Sequence, residues 1–251
     1  MTEVPDSPGK GPEGRPPETD PLLVPRVARC LVEPPGRGKV LVVAPHPDDE
    51  AIGPGATLAL HNKLGDGVVA LFVTSGVHGD LSESMSATEY VKTRRQEAED
   101  SAKVLGIGKT VFWEYPDSMV VTQGDMAGVV ERMVQLLEEE NPDVIYAPHL
   151  GEQHSDHHLV GLMVQQALEG WDGTARAFGY EVWSPLDADI AVDVEETYPV
   201  KLDAIRCYAS QLEHQDICSS VEGLNRYRAV LLPPGGVVAE AFEDWSSEES
   251  A

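Results

Sequence analysis

Short β-branched apolar runs that alternate with stretches of helical spacing constrain the fold of this chain more than any other feature. Val40 to Ala44 and Val68 to Thr74 are bounded by Gly and polar residues, as strands buried on both faces of a parallel sheet are. Ala51 to Leu64 and Ala87 to Leu105 have helical spacing, with Gly65 and Gly106 where C-terminal caps belong. Thr110 to Trp113 reads as a strand, Ala127 to Glu139 as a helix, and Val144 to Ala147 as a strand introduced by Asn141-Pro142-Asp143. His158 to Glu169 then reads as a helix and Phe178 to Trp183 as a strand. This alternation predicts right-handed βαβ crossovers and a Rossmann-like, three-layer α/β/α fold whose mostly parallel sheet is covered on both faces. Ligands of such sheets sit outside the carboxyl ends of the strands.

The ends of the chain read differently. Residues 1–37 hold nine prolines with interspersed glycine, a composition that buries too little apolar surface to offset chain entropy, although Leu22 to Val32 is apolar enough to lie against a domain. A mobile Pro/Gly-rich arm is expected over 1–37, the folded domain over 38–243 and an acidic tail over 244–251.

Bulk charge excludes some functions. Forty-three acidic residues against 18 basic ones leave a formal charge of −25, which argues against nucleic acid and anionic membrane as partners, since phosphate neutralisation needs clustered Lys and Arg. No apolar run approaches the roughly 20 residues that span a bilayer, and no basic segment leads into a hydrophobic one at the N-terminus, so the chain reads as cytoplasmic. Cys30, Cys207 and Cys218 are scattered without CxxC spacing and are expected to be buried free thiols. Gly53-Pro54-Gly55 is no dinucleotide loop, because position 58 is Leu where G-x-G-x-x-G needs glycine.

Two polar clusters carry the chemistry. His46-Pro47-Asp48-Asp49-Glu50 follows the first strand, and His149 to His158, with four of the eight histidines, follows the strand Val144 to Ala147. Both should emerge at one edge of the sheet. Either could be ordinary: Asp48 or Asp49 as a helix cap, the second cluster as a solvated turn. Together they supply the two-His, one-carboxylate set with which hydrolases commonly hold zinc, leaving one position for water. His46, Asp49 and a histidine of the second cluster would form that set, His157 and His158 both being candidates. Asp48, turned away from Asp49, would act as general base. His154 would stand opposite as donor to an oxyanion and to a leaving amine, with Asp156 orienting its ring and raising its pKa. The chemistry read from these residues is metal-assisted hydrolysis of an amide.

Pro45 to Glu50 and His154-Ser155-Asp156-His157 resemble the two hallmarks of the PIG-L/LmbE-like N-deacetylases, zinc enzymes that remove acetyl groups from N-acetylglucosamine-containing substrates. Thr74-Ser75-Gly76, Arg94 with Glu97, and Tyr115-Pro116-Asp117-Ser118 extend the resemblance, which covers about residues 38–242. It implies His46, Asp49 and His157 as metal ligands, Asp48 as general base, His154 as electrophilic partner and acid, and Arg94 and Asp117 as contacts to sugar hydroxyls. It further implies Zn²⁺, with Fe²⁺ as the alternative, and a small N-acetylated amino sugar as substrate. Read on their own, Arg94 could be a helix-surface ion pair with Glu97 and Asp117 a turn residue. The segments Val77 to Ala87 and Leu150 to Gln153 match no subfamily pattern, which leaves open a thiol-precursor conjugate or a small acylated amine as substrate, or a metal-binding module without turnover. A homo-oligomer is compatible with the sequence.

Overall fold

A computed structural model of the chain describes residues 27–80, 85–118 and 123–245; most of the expected arm and residues 246–251 of the expected tail lie outside them. Eight strands form one sheet: β1 (Arg29–Leu31), β2 (Val40–Ala44), β3 (Val68–Thr74), β4 (Lys109–Tyr115), β5 (Val144–Pro148), β6 (Arg176–Tyr180), β7 (Ile190–Asp193) and β8 (Ala239–Asp244). Their order is β1-β7-β8-β6-β5-β2-β3-β4, and every pair is parallel except those of β8, which runs antiparallel to both β6 and β7.

The pleat sorts the core into two layers. Val40, Val42 and Ala44 of β2 face the first layer, with α1 (Asp49–Ile52), α2 (Gly55–Lys63) and α3 (Ala87–Leu105), joined further along by α6 (Tyr198–Arg206) and the helix Ile217–Arg228. Leu41 and Val43 face α4 (Gln123–Glu140) and α5 (Ser155–Gly170). All five β2 residues are fully buried, each apolar side chain contributing about 1.5–3 kcal/mol when removed from water. The sequence pattern anticipates this three-layer architecture.

Departures from the expected elements have local causes. The helix expected over Ala51 to Leu64 is broken into α1 and α2 at Gly53-Pro54, because proline lacks an N–H and restricts the residue before it. Glycine is required there, since a Cβ at Gly53 would collide with the Tyr180 ring. Strand β6 stops at Tyr180, short of the expected Trp183, because the amides of Val182, Trp183 and Ser184 turn inward to Glu152 Oε1 at 2.6, 3.0 and 3.2 Å. Residues 29–31, within the expected arm, pair with β7, and Asp244, expected in the tail, ends β8. Arg29 and Arg176 both reach Asp244 Oδ2, at 2.5 and 3.3 Å, and so tie three strands together. The three cysteines are free, but Cys30 is exposed on the edge strand and Cys207 and Cys218 are half-buried.

A candidate metal centre at the carboxyl edge of the sheet

Strands β2 and β5 lie side by side, so the loops that follow them meet. Between β2 and α1 the backbone of Asp48 adopts φ 130°, a region that L-residues rarely enter and that persists only when surroundings hold it. Glu50 is one such hold: its Oε2 accepts the Asp48 amide at 3.1 Å, while Oε1 accepts the hydroxyls of Ser101 and Tyr208, each at 2.6 Å. Arg94 is the other, donating from Nη2 to the Pro47 carbonyl and to Asp48 Oδ2 at 2.9 Å.

Asp49 turns the opposite way. Its Oδ2 lies 3.1 Å from His46 Nδ1 and 3.2 Å from His157 Nε2, and those two nitrogens are 3.3 Å apart. A tetrahedral ion bound at about 2.0–2.1 Å separates its ligands by about 3.3–3.4 Å, so the three atoms already form one face of such a polyhedron. Two imidazoles and a carboxylate are also the donor types that divalent zinc prefers, and the set fits a metal ion. Burial alone would lower the pKa of His46, but its hydrogen bonds to Asp156 and Asp49 and the nearby carboxylate charges raise it to about 10. Burial is likewise outweighed at His157, raised to about 9 by Asp49 and Glu152, and at Asp49, whose carboxyl both imidazoles hold well below the usual range.

Each imidazole also faces a second carboxylate with its remote nitrogen. His46 Nε2 is 3.0 Å from Asp156 Oδ2, and His157 Nδ1 is 3.5 Å from Glu152 Oε2. Such partners fix ring orientation and raise ligand basicity at metal sites. Asp156 thus serves His46, where the sequence suggested His154, and its Oδ2 is further held by the Ser118 amide at 2.8 Å. To His154, Asp156 gives its charge and its backbone N–H, which donates to Nδ1 at 3.3 Å, so that the His154 side chain caps α5. Burial and the neighbouring His157 and His46 keep the His154 pKa below its ordinary value despite the Asp156 charge.

His154 stands exposed at the cavity, its ring 5.0 Å edge-on from His46 and 4.6 Å from His157. Asp48 lines the same cavity, and burial pushes its carboxyl up to about 6 even though the Arg94 guanidinium pulls it down. Arg94 is no surface residue: it is buried beneath the cavity, and its Nε and Nη1 have no hydrogen-bond partner. Asp117, also lining the cavity, accepts the amides of Gly76 and His78 at 2.8 and 2.7 Å. His158 and His149 point elsewhere, to the carbonyls of Leu150 and Ser184 at 2.7 and 2.8 Å. The roles of Glu50 and Glu152 escaped the sequence reading, because nothing local distinguishes a buttressing glutamate from a surface one. The cavity has a volume of about 190 Å³ and opens to solvent.

A mostly parallel sheet that gathers a His-Asp-His cluster beside a second, raised carboxylate defines a metal-dependent hydrolase class. Residues 41–168 match the family model described as PIG-L, GlcNAc-PI de-N-acetylase, and the chain belongs to this family of deacetylases. Diacetylchitobiose deacetylase of Thermococcus kodakarensis is 29% identical over 192 residues, 69% of this chain and 70% of that protein. The solved structure of N,N'-diacetylchitobiose deacetylase from Pyrococcus horikoshii, complexed with its inhibitor MPG, matches with a TM-score of 0.71 at 26% identity, over 83% of this chain and 84% of that one. A 4-carboxy-2-hydroxymuconate hydratase from Pseudomonas putida KT2440 matches with a TM-score of 0.73 at 20% identity, over 85% and 98%, a likeness of fold alone. Family and cluster together make the protein a metal-dependent deacetylase of an N-acetylated substrate. Among the described residues no helix is long and apolar enough to cross a membrane.

Proposed function

We propose that the protein removes the N-acetyl group from a GlcNAc-type sugar or sugar conjugate, with Zn²⁺ held by His46, Asp49 and His157. The observation that carries this reading is the pairing of the 3.1–3.3 Å ligand triangle with Asp48, a cavity-lining carboxylate whose pKa burial brings up to about 6. When bound, the ion would supply Lewis-acid polarisation of the acetyl carbonyl and lower the pKa of water toward about 7.

The protein's own residues do the rest. Asp48 accepts the proton of the attacking water, and a base poised near the working pH is the effective kind. The Arg94 hydrogen bond and the Glu50 contact to its amide keep that carboxylate from rotating toward Asp49. His154 donates a hydrogen bond to the oxyanion as the carbonyl carbon becomes tetrahedral, and the proton that Asp48 took from water passes to the departing nitrogen. The C–N bond breaks, leaving a free amine and acetate. Arg94, whose buried Nε and Nη1 make no hydrogen bond although Nη1 lies 3.7 Å from Glu97, and Asp117 supply a charged donor and acceptor for neighbouring sugar hydroxyls. The diacetylchitobiose deacetylases among the relatives support a sugar as the carrier of the acetamide.

The test is acetate release from N-acetylglucosamine and its conjugates, with and without a chelator. Chelator-sensitive release is expected. Turnover of non-sugar N-acyl amines with none of the sugar amides would overturn the substrate assignment.

A further inference from the structure

We infer that Trp183 is an aromatic platform for a second ring of the substrate, the sugar or cyclic aglycone joined to the N-acetylated one. The inference rests on the sugar-deacetylation reading and deepens it. Trp183 is 43% exposed, whereas the other three tryptophans, Trp113, Trp171 and Trp245, pack against the α4/α5 side of the core. Its neighbours Val182 and Ser184 are buried, so the segment is not a loose loop that happens to carry an indole. The amides of all three residues converge on Glu152 Oε1, and the other oxygen of that carboxylate faces His157. The group that buttresses a metal ligand therefore also fixes the backbone from which the indole projects. Trp183 lines the same cavity as His46 and His154.

A large apolar face held rigidly in water beside a catalytic cavity is unfavourable unless something covers it. Deep in the cavity, Asp48, Arg94 and Asp117 are polar and recognise hydroxyls and the acetamide. At Trp183 the surface offers a flat face with a single N–H at its edge. A pyranose has the matching anatomy, with C–H bonds on its faces and hydroxyls around its rim. The formal charge of −25 favours a neutral or cationic second ring over a phosphorylated one.

The experiment uses the zinc-loaded full chain as wild type, Trp183→Ala and Trp183→Phe. Kinetics are compared on N-acetylglucosamine, with one ring, and diacetylchitobiose, with two; calorimetry measures binding of the two-ring product, a glucosamine disaccharide. For Trp183→Ala, KM for the two-ring substrate should rise about tenfold and product binding weaken about tenfold, a loss typical of one aromatic contact. On both substrates kcat should stay within about threefold and one-ring KM within about twofold, and Trp183→Phe should recover most of the loss. Equal losses on both substrates, or no change on either, overturn the platform. Trp183-dependent binding of the disaccharide without acetate release would sink the deacetylation reading and leave the platform standing. Acetate release with both variants behaving as wild type would do the reverse, and neither binding nor release would end both.

Discussion

Two buried charge clusters flank the break at Gly53-Pro54, and they are built on opposite principles. On the side away from the cavity, Lys201 and Glu240 are almost wholly buried and closed on themselves. Lys201 Nζ donates to the Gly53 carbonyl at 2.7 Å and to Glu240 Oε1 at 2.6 Å, and the Glu240 oxygens accept the amides of Ala56 and Thr57 at 2.9 and 2.8 Å. Glu240 thereby caps α2, which has no side-chain cap of its own. On the cavity side, His46, Asp49 and His157 aim their ligand atoms at one another, and two Arg94 nitrogens are buried without hydrogen bonds. Buried polar groups are normally satisfied. The Lys201–Glu240 pair is saturated within the protein, whereas the ligand atoms of His46, Asp49 and His157 converge beside a cavity open to solvent, where a ligand can complete them.

The predictions test that contrast. The largest effects belong to the open cluster. His157→Ala should abolish turnover and leave zinc, read by mass spectrometry, well below one ion per chain; stoichiometric zinc in that variant would remove His157 from the ligand set. Asp48→Asn should lower kcat about 10²–10⁴-fold at unchanged zinc content, because a base is not a ligand. If zinc falls in parallel, Asp48 and Asp49 have the wrong roles.

Lys201→Met addresses the closed cluster. Removing one partner leaves the Glu240 charge buried and should cost about 3–5 kcal/mol of stability in urea titration, while the folded fraction keeps its zinc. Unchanged stability with lost zinc would erase the distinction between the two sides. Asp156→Asn sharpens it more gently: zinc affinity, measured against a competing chelator, should fall about 10–100-fold through loss of the carboxylate on His46. The smallest signal is calorimetric. In the metal-free protein His46 titrates at about 10 and His157 at about 9, so at pH 7 both lie below their pKa and carry protons. Zinc capture should then release up to two protons per ion, and apparent affinity should climb from pH 7 to about pH 9 and level off above about 10. Binding that is independent of pH over this window would contradict the raised values.

Much of the fold is legible in the chain because β2, β3 and β5 are uninterrupted apolar runs and parallel strands buried on both faces need nothing else. Less legible is the region after β6. Strand β8 enters antiparallel between β6 and β7, a placement decided by partners far upstream, as in the pairs Asp193–Ala239 and Phe178–Asp244. The helix break at Gly53-Pro54 had its signal in the proline, masked by apolar spacing that continues across it. At the site, the two clusters were visible as unusual concentrations of His and Asp, but the partner of Asp156 was not. The Asp156 side chain can serve His154, two residues before it, or reach across to His46 in the loop after β2 with equal local plausibility, and only the packed loops select the second.

By itself, then, residue type and order determined the kind of chemistry: two imidazoles and carboxylates at the ends of buried strands in an acidic chain. Tertiary structure alone decided which atoms meet. Successive helical residues diverge by about 100°, so that His157 faces Asp49 while His158 turns to the Leu150 carbonyl. The adjacent carboxylates diverge for another reason, Asp48 toward Arg94 and Asp49 toward the histidines: the φ of 130° at Asp48 is held by the nearby Glu50 and by Arg94 from α3. Convergence within a few ångströms is a property of packing, which no local pattern specifies.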